Sequence, residues 1–146
     1  MVVLLYKFST MILKTSQNQK RVRDNLDEIC GKRFSLIEKI NLDLFGSPKY
    51  LIKSISPITF DLDFKNFSDL IYCSIELRKN GAAVFFRYKN EEYVILSRFN
   101  QITFVSNDQT FDFQLGNLLL NLKITDRKGH HKFISRLMKC RNRIRR

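Results

Sequence analysis

Residues 71–97 read IYCSIELRKNGAAVFFRYKNEEYVILS, and the fold class turns on this stretch. Ile71, Cys73, Ile75 and Leu77 alternate with Tyr72, Ser74, Glu76 and Arg78. Successive side chains of a strand point to opposite faces, so a period of two describes a strand with one dry and one wet side. Asn80-Gly81 follows at once. Both residue types tolerate positive φ, which predicts a tight hairpin there. Ala82 to Lys89 is then the return strand, Asn90-Glu91 a second turn, and Glu92 to Ser97 a third strand.

The same pattern extends in both directions. Downstream, Gln101 to Val105 predicts a strand ended by Ser106-Asn107-Asp108. Phe111, Phe113 and Leu115 alternate, Gly116-Asn117 makes a turn or bulge, and Leu118 to Ile124 supplies the last strand. Upstream, Ile58, Phe60, Leu62 and Phe64 alternate with Thr59, Asp61 and Asp63, and Asn66 to Asp69 reads as a turn. Six to eight short strands joined this way form a meander. The expectation is that it closes into an antiparallel barrel or sandwich, because open edges invite aggregation.

Both flanks read as helix, which makes the class α+β. Val22, Leu26 and Ile29 recur at helical spacing, and Gly31 stands where a left-handed cap belongs. Ser35 and Glu38 have the spacing of a capping box. Leu36, Ile40 and Leu44 continue a stripe that ends at Gly46 and Pro48, although Ile40, Leu42 and Leu44 also fit a strand. From His130 the period is 3.6. Phe133, Ile134, Leu137, Met138, Cys140 and Ile144 cover one arc, while Lys132, Arg136, Lys139, Arg143 and Arg146 fall in an opposite arc roughly 80° wide. Arg141 and Arg145 intrude on the apolar side, where their stems are expected to snorkel or the last turn to fray. The expected organisation is a helical segment over 1–49 packed on a β domain over 50–146, whose C-terminal basic helix closes the barrel.

A run of antiparallel strands closed by one amphipathic helix resembles the pleckstrin-homology-like barrel. Phe45-Gly46-Ser47-Pro48, Asp61-Leu62-Asp63-Phe64, Asn80-Gly81 and Gly116-Asn117 resemble a family of small, uncharacterised bacterial proteins over roughly Phe45 to Met138. The resemblance implies a fold and no activity. Lipid-binding members carry basic residues between their first two strands. Ser56-Pro57 carries none and the nearest cation is Lys53, so phosphoinositide binding is not implied.

Charge is distributed unevenly. The net charge is +12 over 146 residues. Residues 1–49 carry +4, residues 50–122 carry −1, and residues 123–146 carry +9 from ten basic and one acidic side chain. Such asymmetry points to an acidic partner: a protein, a nucleic acid or an anionic membrane surface. The apolar run Val2 to Tyr6 is too short for a signal peptide, and no run reaches the ~18 residues of a membrane span, so the expected location is cytoplasmic.

Chemistry finds little purchase. Cys30, Cys73 and Cys140 are odd in number and form no C-x-x-C pair, so reduced, buried thiols are expected. Asp61 and Asp63 share one strand face and offer an acid pair or hard-cation ligands, but a solvated face explains them more simply. His130 and His131 diverge by about 100° on a helix with no third ligand nearby, so they read as an exposed helix start, not a metal site. Phe85, Phe86, Tyr88 and Tyr93 lie among Arg87, Lys89 and Arg98. Such interleaving suits base stacking, but with no Trp in the chain these rings are needed in the core. No phosphate loop, nucleophile elbow or zinc-protease motif is present. No catalytic residue, metal or cofactor is therefore assigned. The expected function is a non-catalytic binding or scaffold module contacting an acidic partner through Lys132, Arg136, Lys139, Arg143 and Arg146. The alternatives are a sequence-independent nucleic-acid binder and an enzyme of unrecognised type.

Overall fold

The computed structural model describes residues 3–6, 10–15, 19–42, 46–56 and 69–144. The chain is α+β, and nine antiparallel strands form one sheet among the described residues. They are β1 (Val3–Tyr6), β2 (Thr10–Lys14), β3 (Tyr50–Ser56), β4 (Tyr72–Leu77), β5 (Gly81–Tyr88), β6 (Glu91–Arg98), β7 (Ile102–Ser106), β8 (Thr110–Leu115) and β9 (Leu118–Ile124). Their spatial order is β1-β2-β6-β5-β4-β3-β9-β8-β7. From residue 72 onward the strands lie where predicted, with alternating burial in β4, β8 and β9 and burial on both faces in β5 and β6. The predicted strand over 58–64 lies outside the described residues.

The expected barrel does not close. Strand β2 pairs with β6 from Thr10↔Ser97 to Lys14↔Tyr93, so the N-terminal hairpin occupies the edge that closure would need. The N-terminal segment accordingly contributes β1 and β2 to the sheet as well as its helices. The sheet instead bends through β3. This strand pairs with β4 only at Tyr50↔Cys73 and Leu51↔Tyr72, but with β9 as far as Ser56↔Leu119, across a bulge between Ile52 and Ser54. Bulges sharpen local bend and twist. The meanders β4-β5-β6 and β7-β8-β9 enclose one core that includes Ile75, Val84, Phe86, Ile95, Phe111, Phe113, Leu120 and Leu122.

A second apolar layer covers the other face of β5 and β6. Helix α1 (Gln19–Asn25) runs into a π-helical turn (Leu26–Cys30), and Val22, Leu26, Ile29 and Cys30 pack on Leu13, Ala83, Val94 and Leu96. Strands buried on both sides need no alternation, which explains the unbroken Tyr93-Val94-Ile95-Leu96 run.

Turn chemistry departs from expectation at Asn80-Gly81, where neither residue has positive φ. The Asn80 N–H instead donates to the Cys30 carbonyl at 2.7 Å and docks the π turn. Gly81 is required by close approach, since a Cβ there would sit 2.1 Å from the Ser97 carbonyl oxygen. The left-handed pair is Lys89 (φ 50°) and Asn90 (φ 64°), the signature of a type I′ hairpin between β5 and β6. Gly116 (φ 61°) opens the β8–β9 hairpin. Buried Arg78 clamps this end: its Nε donates to the Gly31 carbonyl at 2.7 Å and its guanidinium pairs with Asp27.

Candidate functional site

The basic helix forms as the sequence predicts and starts slightly earlier. Helix α3 spans Arg127–Ile144. Asp126 caps it: its Oδ1 accepts the Gly129 N–H at 3.0 Å and its carbonyl accepts the His130 N–H at 2.9 Å. Phe133, Leu137 and Cys140 are sunk in the core, which fixes the rotation of the helix about its axis. Lys132 and Lys139 are exposed on the opposite arc. Arg143 shares that arc, lying over the Phe34 ring at 5.4 Å and within 4.0 Å of the Glu38 carboxylate. Arg136 is half-buried and donates to the Gly46 carbonyl at 3.3 Å. Arg146 lies outside the described residues. Arg141, on the apolar side, lies over the Phe104 ring at 5.6 Å and donates to the Ile102 carbonyl at 3.4 Å.

Beside α3 sits α2 (Leu36–Leu42), a helix and not the alternative strand. The capping box is formed: Ser35 Oγ accepts the Glu38 N–H at 3.2 Å and Glu38 Oε1 accepts the Ser35 N–H at 3.1 Å. The Ser35 backbone N–H also holds the Glu38 carboxyl below its ordinary value. Leu36 and Ile40 of the predicted stripe point outward, with Ile37, and Leu44 lies outside the described residues. Leu36, Ile37 and Ile40 are 69%, 71% and 59% exposed. The polar side faces the protein: Glu38 reaches Lys79 at 3.4 Å and Arg143 at 4.0 Å. Lys39 lines a cleft of about 370 Å³ with Arg33, Ser47, Glu76, Phe133 and Arg136. The cleft opens beside the second half of β4, ahead of the first β3 pair at Tyr50↔Cys73, and the Ser47 hydroxyl accepts the Ile75 N–H at 2.8 Å there.

His130 is a correction. It is not an exposed helix start but is 2% exposed, with Nδ1 2.7 Å from the Tyr50 hydroxyl and Nε2 2.7 Å from Ser106 Oγ. By distance alone the serine and imidazole have the spacing of a nucleophile and its base. The proton order differs. Burial keeps the Tyr50 phenol protonated, and among the described residues Nδ1 is the acceptor its hydroxyl meets, so the arrangement that satisfies this buried proton has it donating to Nδ1. That assigns the remaining proton to Nε2, which donates to Ser106, whose hydroxyl in turn donates to the Asn107 carbonyl at 3.2 Å. In that tautomer the imidazole lone pair faces Tyr50 and not the serine. The chain of bonds ties β3, β7 and α3 together. Desolvation, with a smaller contribution from His131, holds the imidazole below its usual value and therefore neutral.

The remaining candidates separate cleanly. Phe86, Tyr88 and Tyr93 are buried, Phe85 is half-buried against the α1 layer, and Phe86 stacks on Tyr93 at 5.4 Å, so these rings are spent on packing. Cys30, Cys73 and Cys140 are free and buried, and desolvation raises their thiols to about 12, 12 and 11. Asp61 and Asp63 lie outside the described residues. Among the described residues no three His, Cys, Asp or Glu side chains converge as metal ligands, and no helix is long and apolar enough to cross a membrane. Comparison with protein-family models, with curated proteins and with solved structures returned no match.

Proposed function

We propose that the chain is a binding module whose α3 docks an acidic partner through Lys132, Arg136, Lys139 and Arg143, on a scaffold of the pleckstrin-homology-like kind. The scaffold reading is supported by the bent antiparallel sheet with one helix at its C-terminal end, and its open edge is the departure from a closed barrel. The functional reading rests on one observation: the arc of α3 opposite Phe133, Leu137 and Cys140 carries cations and no carboxylate. Because the apolar arc is locked in the core, the cationic arc is displayed without any ordering on binding. Lys132 and Lys139 carry the most weight, since Arg136 and Arg143 are partly engaged with Gly46, Phe34 and Glu38.

The test is salt-dependent retention on immobilised heparin, a soluble sulfated polyanion. Lys132→Glu with Lys139→Glu is expected to elute at markedly lower salt than the parent protein. Reversing the exposed α1 cations Lys20 and Arg23 changes the net charge equally and is expected to matter less. Equal shifts for the two pairs overturn the reading, because retention then follows net charge alone.

A further inference from the structure

Building on that reading, we propose that the acidic partner is an anionic membrane surface, on which α2 lies as an interfacial helix with Leu36, Ile37 and Ile40 at the acyl boundary and the α3 cations on the lipid headgroups. The first observation is the orientation of α2. Its apolar side faces water while Glu38 and Lys39 face the protein. Leu42 packs against the core and Glu38 contacts Lys79 and Arg143, and together they hold the helix with Leu36, Ile37 and Ile40 outward. The capping box keeps it formed before any partner arrives.

The second observation is continuity. Arg143 spans from α3 to Glu38 and Phe34, and Arg136 and Lys39 line one cleft, so the aliphatic patch and the cationic arc adjoin. Exposed Lys32 and Arg33 lie just before α2, and Arg33 lines the same cleft. A phosphate backbone satisfies the cations but has no use for three adjacent aliphatic side chains. An anionic bilayer supplies both, with charge at the headgroups and an apolar boundary roughly 5–10 Å deeper. A helix of two turns anchors weakly by itself, so charge and insertion are expected to act as paired signals, each necessary.

The experiment is co-sedimentation of the full chain with vesicles of phosphatidylcholine alone and of phosphatidylcholine with phosphatidylserine. The parent protein is expected to bind only the anionic vesicles. Ile37→Ser with Ile40→Ser replaces two exposed side chains outside the core, and it is expected to lose at least about tenfold in vesicle affinity while keeping heparin retention. Lys132→Glu with Lys139→Glu is expected to lose both. The chain has no Trp, so Ile37→Trp introduces a sole indole whose emission should shift to the blue on anionic vesicles only. Unchanged vesicle binding by the isoleucine pair, or no blue shift, overturns the membrane inference and leaves the basic face standing. Loss of heparin retention by the isoleucine pair also overturns it, because the effect is then not specific to lipid. Failure of the lysine pair to change either assay overturns the basic-face reading itself.

Discussion

The buried imidazole makes the fold sensitive to mild acid. His130 is neutral when folded, held below an ordinary value of 6.5 chiefly by desolvation. Between its folded pKa and 6.5 the unfolded chain binds the extra proton and the native state does not. Stability is therefore fully present above the unfolded value and is lost as pH falls toward the folded one, with a limiting slope of about 1.4 kcal/mol per pH unit for one proton. The geometry supplies the cause. Protonation places a hydrogen on Nδ1, where the Tyr50 hydroxyl already points, so the phenol must turn away and its buried proton loses its acceptor. Replacing the ring by His130→Leu should cost about 1–3 kcal/mol at neutral pH for the unpaired Tyr50 hydroxyl, and should abolish the slope. Urea unfolding followed by far-UV circular dichroism at steps between about pH 5 and 8 measures both quantities. Glu38 does not interfere, because its contribution is lost only as pH falls below its ordinary value of 4.5. A parent protein with flat stability across this range, or a His130→Leu variant with the parental slope, refutes the neutral Tyr50–His130–Ser106 clasp.

Three further outcomes are expected. Leu137→Ala, emptying a fully buried position on α3, should lower the unfolding free energy by about 2–5 kcal/mol, whereas exposed Met138→Ala on the next residue should stay within about 0.5; chemical denaturation compares them directly. Gly81→Ala should cost about 1–3 kcal/mol or more, because its methyl group meets the Ser97 carbonyl, and thermal unfolding reads the loss. The three thiols, raised to about 11–12 and buried, should be inert to a disulfide reagent at about pH 8 until denaturant is added; a native thiol reacting at the rate of free cysteine contradicts that burial.

Local patterns carried most of the fold. The strands from Tyr72 to Ile124 follow from alternation, and the β8–β9 turn from Gly116-Asn117, because both depend on residues close in sequence. The open sheet was not legible. Its cause is β2, whose Ile12 and Leu13 are both fully buried, so the strand shows no alternation and its partner lies far along the chain. Likewise the spacing of Leu36 and Ile40 marks an amphipathic helix but not which side faces out; the packing of Leu42 and the contacts of Glu38 with Lys79 and Arg143 decide that. The cationic arc of α3 was legible from periodicity alone. The clasp was not, since Tyr50 and Ser106 meet His130 only through the fold, and the doublet with His131 suggested a solvated turn.

The pairing of β2 with β6 has a consequence for biosynthesis. Ile12 and Leu13 leave the ribosome ahead of the strand that pairs with them, which follows about eighty residues later. At roughly 5–20 residues per second, that aliphatic segment waits on the order of 4–16 s for its partner. That segment is thus made well before it is sheltered, and chaperone demand during translation should fall when β6 clears the exit tunnel.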